Sequence, residues 1–576
     1  MQEHLTSKQS DLLFCFEQSP FHCASISTLK FIVSARLASG REGGSMQMRW
    51  IRISQLQRHS GRLSLIAAKI VALAIALMVV DGNSPALSLP SFARQTGQPC
   101  GTCHTDFPAL TPFGRRFKLM GYTTGGGEYQ TTPFSSKGAR DARAELDKLR
   151  GYAQSTLSQD SAEQPKGWVP PISFMAVTGF THTQVPSVAP PTDPYSANDN
   201  FVLSQFSGFW GGAITDHVGA FVQVTRSAPD PASAFSGTPS DQFKHTWSWD
   251  NADFRYARTA SVGPLDLVFG ITANNNPSVQ DLWNTTPAWS FPYVSSSLAN
   301  TPGASTVLEG TFAQRVGGIG TYAMINDLLY LELTAYKTLG FNAQNSLGLN
   351  PFDGPGLVGR VAPYWRVALE PHWGRHSLMV GTFGMYSEIH PWLDPTFAAG
   401  STAVDTLADR FTDIGFDSQY QYQGDNFWFT LRGSFIREYQ RLDSTWASTT
   451  AAFNADPVNN PLPSNPTNVL NSLKLQSSLA FGADNRVVLT GQYFNVWGTA
   501  DPNRYGVDAN GLALTPNSNG WIAEIAYIPF GASKSPLWPW SNARIGLQYT
   551  YYNKFNGTTV GAQDNNTLFL HAWFAF

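Results

Sequence analysis

The stretch Arg544-Ile545-Gly546-Leu547-Gln548-Tyr549-Thr550-Tyr551 alternates along its length. Ile545, Leu547, Tyr549 and Tyr551 fall on one side of an extended chain, and Arg544, Gly546, Gln548 and Thr550 on the other, because successive strand side chains point to opposite faces. A soluble sheet would bury the apolar side in a core. A barrel in a membrane turns that side to lipid and keeps the polar side against a wet lumen. The pattern recurs. Leu568, Leu570, Ala572, Phe574 and Phe576 share a face. Phe427, Phe429, Leu431 and Phe435 oppose Trp428, Thr430, Arg432 and Ser434, and Leu329, Leu331, Leu333 and Ala335 oppose Tyr330, Glu332, Thr334 and Tyr336.

From about Ile172 to Phe576 such segments number about sixteen, an even count as single-chain bacterial barrels have. They begin near Ile172, Phe201, Val218, Asn251, Leu265, Ala313, Leu328, Gly359, His376, Asp409, Asn426, Leu470, Arg486, Gly520, Ala543 and Asn566. Short connections such as Thr215-Asp216-His217, Val262-Gly263-Pro264, Ile325-Asn326-Asp327, Trp373-Gly374-Arg375, Gln423-Gly424-Asp425 and Ala483-Asp484-Asn485 alternate with long ones at 274 to 312, 388 to 408 and 441 to 467. Gly531 to Asn542 is the long exception on the short side. Outer-membrane barrels have short periplasmic turns and long external loops, so both the first strand's start and Phe576 are expected on the periplasmic side. A soluble sandwich of this length would need many more covered edges. The expected fold is therefore mainly β. A roughly sixteen-stranded antiparallel transmembrane barrel spans residues 171–576, preceded at 87–170 by a small, mostly helical or irregular domain.

Composition agrees. Of 576 residues 14% are charged and 13% aromatic, with 50 Gly and 37 Pro, and beyond the leader no run approaches the ~20 apolar residues of a spanning helix. A net charge of −3 gives no reason to expect nucleic acid. Arg49, Arg52, Arg58 and Arg62 precede the apolar run Ile70 to Val80, and Ser84-Pro85-Ala86 is a small-x-small cleavage site, so residues 46–86 read as a secretory signal peptide. Residues 1–45 read as a non-native extension from a start assigned too early, with Met46 or Met48 as the true start. Cys15 and Cys23 lie in that extension, so no disulfide framework is expected. Arg140 to Tyr152 has Ala142, Leu146 and Leu149 at helical spacing.

Upstream of the strands stands Cys100-Gly101-Thr102-Cys103-His104. Two thiols and an imidazole at this spacing attach haem covalently, through thioethers to the porphyrin vinyl groups and an axial His–iron bond. A zinc site would want two further ligands at matching spacing, and a thioredoxin-type pair would want a βαβ context; neither is present. One c-type haem is expected, with export and the haem motif supporting each other. No Ser/His/Asp triad or phosphate-binding Gly loop accompanies it.

Around the motif the chain reads Pro90-Ser91-Phe92-Ala93-Arg94-Gln95-Thr96-Gly97, then after Cys103 His104-Thr105-Asp106-Phe107-Pro108-Ala109-Leu110-Thr111-Pro112-Phe113-Gly114-Arg115-Arg116-Phe117-Lys118, ending Gly121-Tyr122. This resembles the outer-membrane fused monohaem cytochrome–porins of iron-oxidising bacteria, most closely over residues 90–125. Asn276 to Asn284 also looks like a segment of that family. The resemblance implies an oxidoreductase of the outer membrane that oxidises extracellular Fe(II) and passes electrons through one haem to a periplasmic cytochrome c or similar acceptor. The rival readings are a haem-plugged porin conduit fed by other extracellular donors, and a solute porin whose haem is structural or sensory.

The haem domain sits on the periplasmic side or folds into the lumen, where it would act as a plug. His104 is the expected axial ligand. Met120 is a candidate second one, since a thioether raises the potential, although Met also fills apolar gaps. His182 on the first strand competes. Arg94, Arg115, Arg116 and Lys118 cluster near the motif and suit haem propionates, Arg94 and Arg115 foremost, or else meet lumen carboxylates such as Asp413 and Asp417. Those two, with Glu332 and Glu370, are candidates to receive Fe²⁺ transiently through hard oxygen atoms.

Overall fold

A strand in a membrane must pair every backbone N–H and C=O within the protein, and only closure achieves this for a sheet. The computed structural model describes residues 89–123, 170–186, 198–227, 247–286, 293–349, 354–391, 407–529 and 539–576. The expected signal peptide and extension, and residues 124–169 with the Arg140–Tyr152 stretch, lie outside them.

Sixteen antiparallel strands form the wall: β1 Ile172–Thr183, β2 Asn200–Ala213, β3 Val218–Ser227, β4 Trp247–Val262, β5 Leu265–Asn274, β6 Val316–Ile325, β7 Leu329–Thr338, β8 Ala362–Leu369, β9 His376–His390, β10 Asp409–Gln423, β11 Phe427–Leu442, β12 Thr467–Phe481, β13 Val487–Gly498, β14 Ser518–Tyr527, β15 Asn542–Lys554 and β16 Thr567–Ala575. Two-residue pieces, Leu357–Val358 and His372–Trp373, flank β8 and pair with β9. Each strand pairs with its sequence neighbour, and β16 returns to β1, with Thr567 opposite Thr183 and Ala575 opposite Met175. The sheet has no free edge. Among the strand starts expected from sequence the largest offset is at β4, which begins at Trp247 instead of Asn251.

Side-chain exposure follows the alternation. Leu431 is 46% exposed while Thr430 and Arg432 beside it are 2% and 5% exposed. Leu333, Phe416, Ile525 and Trp521 are also exposed, and such residues on a closed wall form the apolar outer band that faces hydrocarbon. No helix among the described residues is long and apolar enough to cross a membrane; the strands do the crossing.

The lumen is filled. A sixteen-stranded barrel is wide enough for an aqueous channel, yet the inward polar residues are buried. Residues 89–123 lie inside the wall as a plug, and the long connection between β5 and β6 folds in to meet them. The plug is built from α1 Pro90–Thr96, α2 Cys100–Cys103, a two-strand hairpin of His104–Asp106 and Ala109–Leu110, and α3 Pro112–Leu119. Pro90 and Pro112 each occupy a first helical turn, where a missing N–H costs nothing. Gly97 ends α1 with φ 65°, the left-handed cap that glycine adopts without strain. Thr111 caps α3, its hydroxyl accepting from the Gly114 N–H at 3.1 Å.

Candidate functional site

The haem motif forms a single helical turn whose last residue leads directly into the hairpin. His104 Nδ1 lies 3.2 Å from the Pro108 carbonyl oxygen. A carbonyl only accepts, so Nδ1 carries the proton and Nε2 keeps its lone pair for a metal. Burial holds the imidazole neutral, its pKa pushed down to about 4. Burial, with Cys100 beside it, pushes the Cys103 thiol up to about 12. Neither Cys100 nor Cys103 is in a disulfide.

Cys103 and His104 open on a cavity between plug, wall and roof. Its sides are mostly apolar. Phe92, Phe107 and Phe117 come from the plug, and Met175, Phe209 and Phe221 from β1, β2 and β3. Ser278, Val279, Asp281 and Leu282 of the β5–β6 connection roof it. The roof is held in shape by Asp281, whose carboxylate accepts from the backbone N–H groups of Trp283, Thr285 and Thr286 at 3.0, 2.9 and 3.0 Å. Cys103 and His104 share this apolar cradle, while Cys100 lines the smaller cavity beyond His104; two thiols and an imidazole are the donor set of a covalently attached haem.

On the other side of His104, toward the short-turn end, lies a smaller cavity lined by Asp106, Trp428 and Asn542. Asp106 Oδ2, Trp428 Nε1 and Asn542 Nδ2 have no hydrogen-bond partner among the described residues, a setting that suits ordered water.

Close packing of α3 on the motif depends on Gly114. A Cβ there would overlap the Cys103 carbonyl oxygen and press on Leu110. Gly114→Ala is therefore expected to lift α3 from the motif at a cost of about 1–3 kcal/mol and to lower haem incorporation. Covalent haem per chain, read by the pyridine haemochrome assay, checks this; full incorporation would refute it.

The other sequence candidates land elsewhere. Met120 does not line the cavity. It is 2% exposed and packs with Leu119, Val268, Trp283, Tyr322, Met324 and Tyr330 between plug, wall and roof, so its thioether fills an apolar gap. Met120→Leu is expected to leave the near-infrared spectrum of the oxidised protein unchanged; loss of a charge-transfer band would restore Met120 as a ligand. His182 faces outward, since the inward side of β1 carries Ser173, Met175, Val177, Thr181 and Thr183. Its Nδ1 is 2.7 Å from Asp199 Oδ1, which removes it from competition for the iron.

The basic cluster does not converge on propionates. Arg94 donates to the Ile172 carbonyl and lies 5.1 Å over the Trp540 ring. Arg115 pairs with Glu370 and donates to Gln421 Oε1 at 2.8 Å, and Arg116 pairs with Asp327. Lys118 does border the cavity, with its ammonium on the Val279 carbonyl of the roof. Buried guanidinium groups need carboxylate partners, and the barrel wall supplies them. Asp413 and Asp417 are not those partners. Asp417 pairs with Arg366, and Asp413 accepts from the Leu308 N–H at 2.9 Å. Glu332 accepts from Tyr330 Oη at 2.8 Å. All four carboxylates are buried and each already accepts a hydrogen bond.

Sequence reading missed Met175, Phe209 and Phe221. Met175 was within reach of parity alone, because Phe174 and Ala176 beside it are apolar and lipid-facing.

A closed sixteen-stranded antiparallel wall with an apolar exterior defines a porin-like outer-membrane barrel, here with its lumen occupied by a plug and an infolded connection. No protein-family model and no curated protein matches the chain. Among solved structures it is similar to OprB of Pseudomonas putida, 14% identical over 70% of this chain and 94% of that one with a TM-score of 0.39. OmpF of Salmonella typhi is 11% identical over 70% and 97%, with a TM-score of 0.37, and OmpT of Vibrio cholerae 8% identical over 70% and 97%, with a TM-score of 0.34. The fold rests on the strand pairing itself and not on these distant likenesses.

Proposed function

We propose that the protein holds one covalent c-type haem at Cys100, Cys103 and His104 and carries electrons across the outer membrane, taking them from extracellular Fe(II) and delivering them to a periplasmic cytochrome. The observation that carries this reading is His104, whose Nδ1–H is held on the Pro108 carbonyl and which lines, with Cys103, a mostly apolar cavity. Held by Cys100, Cys103 and His104, a haem would supply one-electron redox chemistry, the electron coming from Fe²⁺ as it becomes Fe³⁺ and leaving to the periplasmic cytochrome.

The chain's own residues do the remainder. The phenylalanines and Met175 keep water from the cofactor, which with axial ligation is one of the protein's levers on potential. The roof at Ser278–Leu282 belongs to a connection that starts and ends on the long-loop side, while Trp428 and Asn542 behind His104 lie toward the short-turn side. A haem held there would stand between the two ends of the barrel. A plug that fills the lumen favours electron transfer over solute passage.

Anoxic titration of the purified ferric protein with Fe²⁺ tests the reading. The haem is expected to reduce, one electron per chain. If dithionite reduces it and Fe²⁺ does not at any pH at which the protein is folded, Fe(II) oxidation is excluded and the conduit for other donors stands.

A further inference from the structure

A second cavity lies between the infolded residues Tyr293–Ser297 and the wall of β1 to β4 and β16. It extends from Ser204 and Ser227, near the long-connection ends of β2 and β3, to Met175 and Trp573 near the short-turn ends of β1 and β16. Met175 borders this cavity and the His104 cavity alike. The two spaces therefore meet at one side chain.

The linings differ in chemistry. The second cavity presents oxygen atoms from Ser204, Gln205, Thr225, Ser227 and Asn251, and a single formally charged residue, Asp250. Several other lumen carboxylates have arginines: Asp253 has Arg255, Asp417 has Arg366, Glu370 has Arg115 and Glu524 has Arg544. Asp250 forms no ion pair among the described residues. It accepts from Thr225 Oγ1 at 2.8 Å and from Gln314 Nε2 at 2.8 Å, neutral donors that orient the carboxylate and leave its charge uncompensated. A negative charge focused in a walled polar space raises the local concentration of cations, and hydroxyl, amide and carboxylate oxygens suit hard divalent ions.

We infer that this cavity is the route by which a hydrated divalent cation approaches the haem site, with Asp250 as its landing carboxylate and Met175 as the partition it stops against. The inference rests on the proposed Fe(II) oxidation for its biological cation, and on cavity geometry for its existence.

The test uses the full-length, haem-loaded protein in detergent. Asp250→Asn is expected to lower the second-order rate of haem reduction by Fe²⁺ about tenfold, the low end of electrostatic steering, with haem potential and the rate with neutral hydroquinone unchanged. Because that variant could fold poorly, Ser297→Cys, exposed on the same cavity, supplies a second arm. A cationic thiosulfonate on that thiol is expected to slow Fe²⁺ more than an anionic one of equal size.

Redox-inert Mn²⁺, followed by its EPR signal, separates this inference from the functional reading. Binding by the wild type and its loss in Asp250→Asn support the cation route even if Fe²⁺ never reduces the haem. Equal Mn²⁺ binding in both proteins, or equal Fe²⁺ rates in wild type and variant, overturns it.

Discussion

Protein carrying Cys100→Ser and Cys103→Ser, produced alongside cytochrome-maturation machinery, is expected to arrive in the membrane as a folded barrel with no covalent haem, while the wild type carries one per chain. The barrel does not depend on the motif for its pairing. Strands β1 to β16 satisfy one another's backbone groups around a closed circuit, and the plug is tied to that wall by Arg94, Arg115 and Arg116. Only the thioether attachment is removed, because His104 and its Pro108 contact remain. Pyridine haemochrome spectra and heat-modifiable electrophoretic mobility read the two properties separately. A wild-type protein without covalent haem would remove the basis of the electron-transfer reading and leave the barrel intact.

The second large effect concerns the seal. Glu370 is the point at which plug and roof meet. It pairs with plug residue Arg115, accepts from roof residue Trp283 Nε1 at 2.9 Å, and accepts from Ser377 Oγ at 3.1 Å. The Arg115 and Glu370 side chains are 2% and 3% exposed. Glu370→Met strands a buried guanidinium and frees the Trp283 indole, a loss of about 3–5 kcal/mol, or two to four powers of ten in the equilibrium holding the plug in place. Wild-type protein in planar bilayers is expected to show no steady porin-sized conductance, and Glu370→Met to show frequent openings and faster proteolysis within residues 89–123. A wild type that conducts like an open porin, or a variant as closed as the wild type, would contradict this role for Glu370.

How much was legible in advance follows from the range of each interaction. The alternation at Arg544–Tyr551 is a property of adjacent residues, and the pleat converts it into two faces without reference to the rest of the chain. Short connections such as Gln423-Gly424-Asp425 likewise declare themselves locally. The haem motif is also local: five consecutive residues carry all its chemistry.

Other outcomes depended on which residues the closed wall brings together. Arg115 and Glu370 are 255 positions apart, and no periodicity in either segment announces their pairing. Spacing alone made Met120 a reasonable iron ligand, but its position at the C-terminal cap of α3 puts it among Trp283, Tyr322 and Tyr330. His182 was misjudged for a simpler reason, its parity on β1.

From its sequence alone this chain was a sixteen-stranded lipid-facing cylinder with a Cys-x-x-Cys-His pentapeptide ahead of it, because strand faces and motif spacing are both short-range. Tertiary structure alone decided that the lumen is filled, that the arginines lock plug to wall, and that His104 looks onto an apolar cavity next to a polar one. Those results require the ring to close first, since a charge or a cavity wall acquires its partner only when strands distant in the chain stand side by side.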